Sequence, residues 1–215
     1  MSQHRLDALQ RHAGSLLLLM ALVLMPWGRS AELPVLLAAL LGLRELPRLK
    51  LDPDTRPLLV AFLAYWLPEL MSAPDAVEPV KAWTEVFADL RFLPLLLFAH
   101  AQLRSAPTLR RVLGCSAAVL AVWLLDALLQ ASTGFSLGGS NLTDRLSGIF
   151  GDDNLKLGGV LATLSPLLLW QARNLGGRKW LLGAALLCLW VVLLAGARAA
   201  WLVYGLVLIA LLWRE

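Results

Sequence analysis

Eight apolar runs, separated by short charged or turn-rich segments, constrain this chain more than any other feature. They fall at about 13–27, 31–43, 57–71, 86–103, 109–131, 154–172, 180–195 and 200–213. A helix needs about 20 apolar residues to cross the hydrocarbon core of a bilayer. Of the 215 residues, 59% are hydrophobic, against about 45–50% apolar in soluble domains. The expectation is an all-α chain, a polytopic transmembrane helical bundle of about eight spans. One large soluble core is excluded.

The charge of +4 invites a nucleic-acid partner, but only 16% of residues are charged and no stripe interleaves basic with aromatic side chains. No nucleic acid is expected. Cys115 and Cys188 each sit inside an apolar run, which supports neither a disulfide framework nor a cysteine metal site. The first run follows Arg5 and Arg11, as in a signal peptide, yet no small-x-small cleavage pattern follows Pro26-Trp27-Gly28-Arg29. It is read as a retained helix.

Basic residues orient such a bundle because cytoplasmic loops are enriched in Lys and Arg. With the N-terminus inside, the inner segments hold Arg5, Arg11, Arg44, Arg48, Lys50, Arg56, Arg104, Arg110, Arg111, Arg173, Arg178, Lys179 and Arg214. Asp75, Glu78, Glu85, Asp144, Asp152 and Asp153 gather in or beside the outer loops. The longest and most polar outer loop, 132–153, is the natural seat of an outward-facing function; its sequon-like Asn141-Leu142-Thr143 is assigned no role. The runs at 180–195 and 200–213 are short for a ~30 Å core. A single helix through both would be about 50 Å long, so a hairpin turning near Arg198 is favoured.

Ionisable groups within a membrane carry functional information, because an arginine at mid-bilayer costs about 3 kcal/mol on insertion scales. Arg91 lies early in the fourth run, near Asp89 and Glu85. It suits an ion pair or a snorkelling residue at the interface, or a cation facing an anionic head group. Arg198 stands in Gly196-Ala197-Arg198-Ala199-Ala200-Trp201 with no acid within ten residues, so its counter-charge comes from elsewhere in the fold or from a ligand. Trp201 suits an interfacial aromatic belt. Arg145 opens a glycine-bearing segment in which Asp152, Asp153 and Asn154 suit helix N-caps. A helix N-terminus beside Arg145 and Lys156 also favours a phosphate.

At these residues the chain resembles the O-antigen ligase and polymerase superfamily. Arg145-Leu146-Ser147-Gly148-Ile149-Phe150-Gly151-Asp152-Asp153-Asn154 is similar to that family's "RLTGTFGNPN", and Ala197-Arg198-Ala199-Ala200-Trp201 to its "SRGAW". Asp152-Asp153 replace Asn-Pro, while Ala197 and Ala199 replace Ser and Gly. The resemblance implies a GT-C-like glycosyltransferase of the bacterial inner membrane, acting on the periplasmic face without a metal ion or other cofactor. O-antigen glycan would pass from undecaprenyl pyrophosphate to the lipid A core, or to a further repeat unit in a polymerase. It implies that Arg145 and Arg198 hold the pyrophosphate, with Lys81 and Arg91 as weaker counterparts by position. It also implies a histidine base on a later outer loop. His4, His12 and His100, the histidines of this chain, are expected at or near the cytoplasmic face. Residues 1–215 are therefore expected to be the N-terminal part of a longer enzyme, binding donor lipid without transferring glycan. The remaining C-terminal part would be a partner alongside membrane lipids.

Two other classes compete. A transporter or flippase would line a midplane path with Glu69, Arg91 and Asp126. A noncatalytic membrane scaffold would tolerate loss of Arg145 and Arg198.

Overall fold

The computed structural model describes residues 3–140, 145–151 and 156–213. Contacts gather the chain into two compact units, one of Met1–Met25 with Arg29–Leu109, the other of Pro26–Gly28 with Arg110–Glu215.

The first unit carries α1 (Gln3–Val23), α2 (Glu32–Gly42), α3 (Arg56–Ser72), α4 (Pro79–Asp89) and α5 (Phe92–Leu103). Helix α2 packs on α5 and α1, and α3 on α4 and α5. The α2–α5 crossing is close because Gly42 lies against the backbone of α5: a Cβ there would stand 1.9 Å from the Pro94 carbonyl oxygen. The fourth apolar run breaks into α4 and α5 at Leu90–Arg91. Pro94 has no N–H to return to the Leu90 carbonyl. That carbonyl instead accepts the Leu93 N–H at 3.3 Å, a tighter turn.

The second unit holds most of α6 (Ala106–Thr133), then α7 (Lys156–Leu194) and α8 (Arg198–Trp213). Helix α7 is two legs, 156–175 and 178–194, broken at Gly176–Gly177, where Gly177 has φ +67°; only glycine adopts that geometry at little cost. The legs fold back on each other. Leu169 of the first packs with Leu181 and Ala185 of the second, while a Cβ on Gly158 would lie 3.0 Å from the Ala195 Cβ. Pro166 cannot supply an N–H to the Ala162 carbonyl within the first leg. The Ser165 hydroxyl donates to that carbonyl at 2.8 Å and takes its place. Helix α8 returns along the second leg, its Tyr204 hydroxyl donating to the Ala185 carbonyl at 2.8 Å and its Trp201 indole N–H to the Val192 carbonyl at 3.1 Å. The hairpin read from the two short runs is therefore present, turning at Gly196 with φ +70°.

Among the described residues, four helical stretches suffice by length and composition to cross a membrane: Arg56–Asp75, Pro79–Leu103, Ala106–Thr133 and the two-legged Lys156–Leu194. This corrects the expectation of eight spans. The remaining apolar helices fall short: α1 is apolar only over His12–Val23, while α2 has 11 residues and α8 has 16, or roughly 17 and 24 Å against a ~30 Å core. The all-α expectation holds, with one addition: a two-residue antiparallel ladder pairs Phe135 with Ser140 and Ser136 with Gly139 in the loop after α6.

Candidate functional site

In the second unit, the end where α6 finishes, α7 begins and α7 hands over to α8 is built around polar side chains of α6. Asp126 and Gln130 are one helical turn apart and so share a face. Both are buried, 4% exposed each. The Gln130 side-chain oxygen accepts the Ser147 N–H at 3.1 Å and the Gly148 N–H at 2.7 Å. Asp126 Oδ1 accepts the Leu137 N–H at 2.8 Å. Ser136 donates its hydroxyl to the Gly139 carbonyl at 2.7 Å, and the same oxygen lies 3.2 Å from the Gly148 carbonyl. Beneath these groups the Trp123 and Phe150 rings meet edge to face at 5.3 Å. Backbone donors packed against apolar helices need acceptors, and two α6 side chains supply them to the Leu137, Ser147 and Gly148 N–H groups.

The anchored loop carries Arg145 to the α7–α8 turn. The Leu146 N–H donates to the Leu194 carbonyl at 3.3 Å. A Cβ on Gly196 would lie 3.1 Å from Arg145 Cδ and 3.2 Å from its Nε, so the Arg145 side chain lies across the bare face of Gly196. Arg198 follows two residues later at the start of α8. Both arginines are exposed. The first turn of α7 meets the same turn, with Gly158 against Ala195, Ala197 and Ala200. Two of the four expected site residues thus converge on one turn.

Arg91 and Lys81 belong to the first unit. Each stands beside an acid of its own: Arg91 Nη2 is 3.9 Å from Asp89 Oδ1, and Lys81 Nζ is 4.0 Å from Glu78 Oε2. Arg91 also lies over the Phe92 ring, 5.2 Å from its centroid, and the Tyr65 hydroxyl donates to the other Asp89 oxygen. The ion-pair reading of Arg91 is therefore realised with Asp89. Among the described residues no carboxylate lies within ion-pair reach of Arg198. Asp126, a candidate for a transport path, is committed to the loop through Oδ1; its Oδ2 has no hydrogen-bond partner among the described residues. His100 stands beside Arg104 in the first unit, Nε2 to Nε 3.4 Å.

The expected caps Asp152, Asp153 and Asn154, and Asn141-Leu142-Thr143, lie outside the described residues. Gln130 is the residue that inspection of the sequence passes over. Its signal is a polar pair at i, i+4 with Asp126, inside a run otherwise apolar.

No family model, curated protein or solved structure matches this chain.

Proposed function

We propose that this chain acts in membrane glycosyl transfer of the O-antigen ligase and polymerase kind, with a GT-C-like layout. Its second unit supplies the site for the donor pyrophosphate. The observation that carries this reading is the placement of Arg145 across Gly196, two residues before Arg198. Two guanidinium groups beside one small-residue turn offer forked donors to neighbouring phosphates, and the start of α7 adds the positive end of a helix dipole. Glycan transfer from a lipid diphosphate leaves a pyrophosphate whose negative charge grows as the glycosidic bond breaks. Fixed cations at that point stabilise the transition state without reorganising.

In this reading the donor is an undecaprenyl-pyrophosphate-linked glycan and the acceptor a lipid A core sugar. The chain lies in a bacterial inner membrane with the arginine turn facing the periplasm. Ligation is favoured over polymerisation on the resemblance alone. Lys81 and Arg91 are given no donor contact, since each already has a carboxylate.

The test is binding of undecaprenyl pyrophosphate to the purified chain in nanodiscs, with Arg145→Ala and Arg198→Ala beside it. Loss of one charged hydrogen-bonding partner, worth roughly 1.5–3 kcal/mol, predicts about a ten- to hundredfold weaker Kd for each variant with normal membrane insertion. Unchanged binding in both removes the pyrophosphate site.

A further inference from the structure

The opposite end of the second unit has a different character. Between Lys156 and Trp213 the sequence contains no Asp or Glu, and none occurs between Arg104 and Leu125. The α7 legs turn there at Gly176–Gly177, flanked by Arg173, Arg178 and Lys179, all exposed. Arg110 and Arg111 lie on α6 one turn before Gly114. Here a groove of about 680 Å³ lies between α6 and the two α7 legs, lined by Ala118, Ala121, Leu168 and Leu187 together with Lys179 and Trp180. That volume lies within the ~300–1,000 Å³ of sites that enclose small ligands. The groove exists because small residues line it. A Cβ on Gly114 or on Gly183, both lining residues, would meet nothing within 4 Å.

We propose that this groove is a binding site for an anionic diacyl phospholipid, with an acyl chain along the alanine and glycine floor and the phosphate head group at Lys179 and Arg178. Charge complementarity selects the occupant. A zwitterionic lipid would bring as much positive as negative charge to an end where Arg178 and Lys179 stand exposed, whereas an anionic head group gains at both. Trp180, 63% exposed beside Lys179, is the amphipathic ring expected at head-group depth. The occupant is a structural or regulatory lipid, distinct from the donor at the far end of the same helices. The assignment does not rest on the glycan-transfer reading.

The experiment is native mass spectrometry of the full chain released from detergent after titration with phosphatidylglycerol or with phosphatidylcholine of the same acyl composition. Three variants accompany it. Arg178→Gln with Lys179→Gln removes the head-group charges, and Gly183→Leu and Gly114→Leu fill the groove at positions with open space for a side chain. One tightly held phosphatidylglycerol per chain is expected, retained at least about tenfold better than phosphatidylcholine. Removal of two cations near the head group weakens it about ten- to thirtyfold, and either leucine abolishes retention while helicity by circular dichroism stays at the wild-type value. Equal retention of the two lipids overturns the proposal, as does indifference to the leucine variants. A lipid-free dimer that Gly183→Leu converts to monomer would give the groove to a second copy of the chain and overturn it equally.

Discussion

The two units handle buried and interfacial polarity in opposite ways. In the first, the ionic groups described above find carboxylates close by: Lys81 beside Glu78, Arg91 beside Asp89, with Tyr65 closing on the same aspartate. In the second, the polar side chains of α6 are spent on backbone N–H groups of the following loop, and the α7–α8 turn presents its cation with no acid on either helix. A cation with a carboxylate on its own segment is already neutralised and serves the fold. One carried on a glycine- and alanine-rich turn has no carboxylate within ion-pair reach among the described residues, and that contrast separates Arg198 from Arg91.

The contrast can be broken most forcefully at Gln130. Gln130→Leu keeps the volume but leaves the Ser147 and Gly148 N–H groups buried without an acceptor. Each such orphan costs about 1–3 kcal/mol, so the variant should lose roughly 2–4 kcal/mol and open the buried Ser147–Gly148 stretch to limited proteolysis, while a matched Tyr65→Phe leaves that stretch protected. Equal loop protection in Gln130→Leu would show that α6 does not hold the loop.

Next in size is the pairing of Arg198→Ala with Arg91→Ala. The first should weaken undecaprenyl pyrophosphate about ten- to hundredfold and leave thermal stability in detergent near wild type. The second should leave the lipid Kd unchanged and cost less than about 1 kcal/mol, as expected for a partly exposed ion pair. If Arg91→Ala alone weakens the lipid, the assignment of roles is reversed. Tyr65→Phe removes one hydrogen bond to Asp89 and should cost about 1 kcal/mol in the first unit, read from the unfolding midpoint in denaturant; no shift would mean that Asp89 is held by Arg91 alone.

The smallest expected effect concerns Asp52, ahead of α3. Its carboxylate accepts the Thr55 N–H at 2.8 Å and the Asp54 N–H at 3.1 Å. The Thr55 backbone N–H and hydroxyl hold it below its ordinary pKa of 3.8. A carboxyl depressed in the folded state stabilises above its unfolded pKa, and that contribution fades as the pH falls through the folded value. Hydrogen exchange at Leu59, whose N–H bonds the Thr55 carbonyl, should therefore quicken slightly as the pH drops from about 5 to about 3, once intrinsic rates are removed. Asp52→Asn should flatten the response, and a wild-type response that is already flat rejects the role.

Much of this was legible in the sequence. The short runs at 180–195 and 200–213 announced the hairpin at Gly196, because neither a single long helix nor two full spans fits their length. The acid beside Arg91 was visible two residues away. The span count was not legible, because an apolar run shows that a helix forms but not whether it reaches spanning length: 31–43 is helical over 11 residues, too few to cross. Gln130 was passed over because a polar residue near the end of an apolar run looks like the start of a loop.

The sequence by itself determined that the chain is apolar and helical, that its acids desert the last two helices, and that Gly176–Gly177 separates two apolar runs. These are local properties, fixed by side-chain hydrophobicity and by the φ angles that glycine adds. Only the tertiary structure decided that Arg145 lies across Gly196, some fifty residues further on. That contact depends on which face of α6 packs inward and on Gln130 meeting the donors of a loop seventeen and eighteen residues away. A pairing at such separation has no period or spacing to mark it. It follows from the requirement that buried N–H groups find acceptors in whatever the folded chain places beside them.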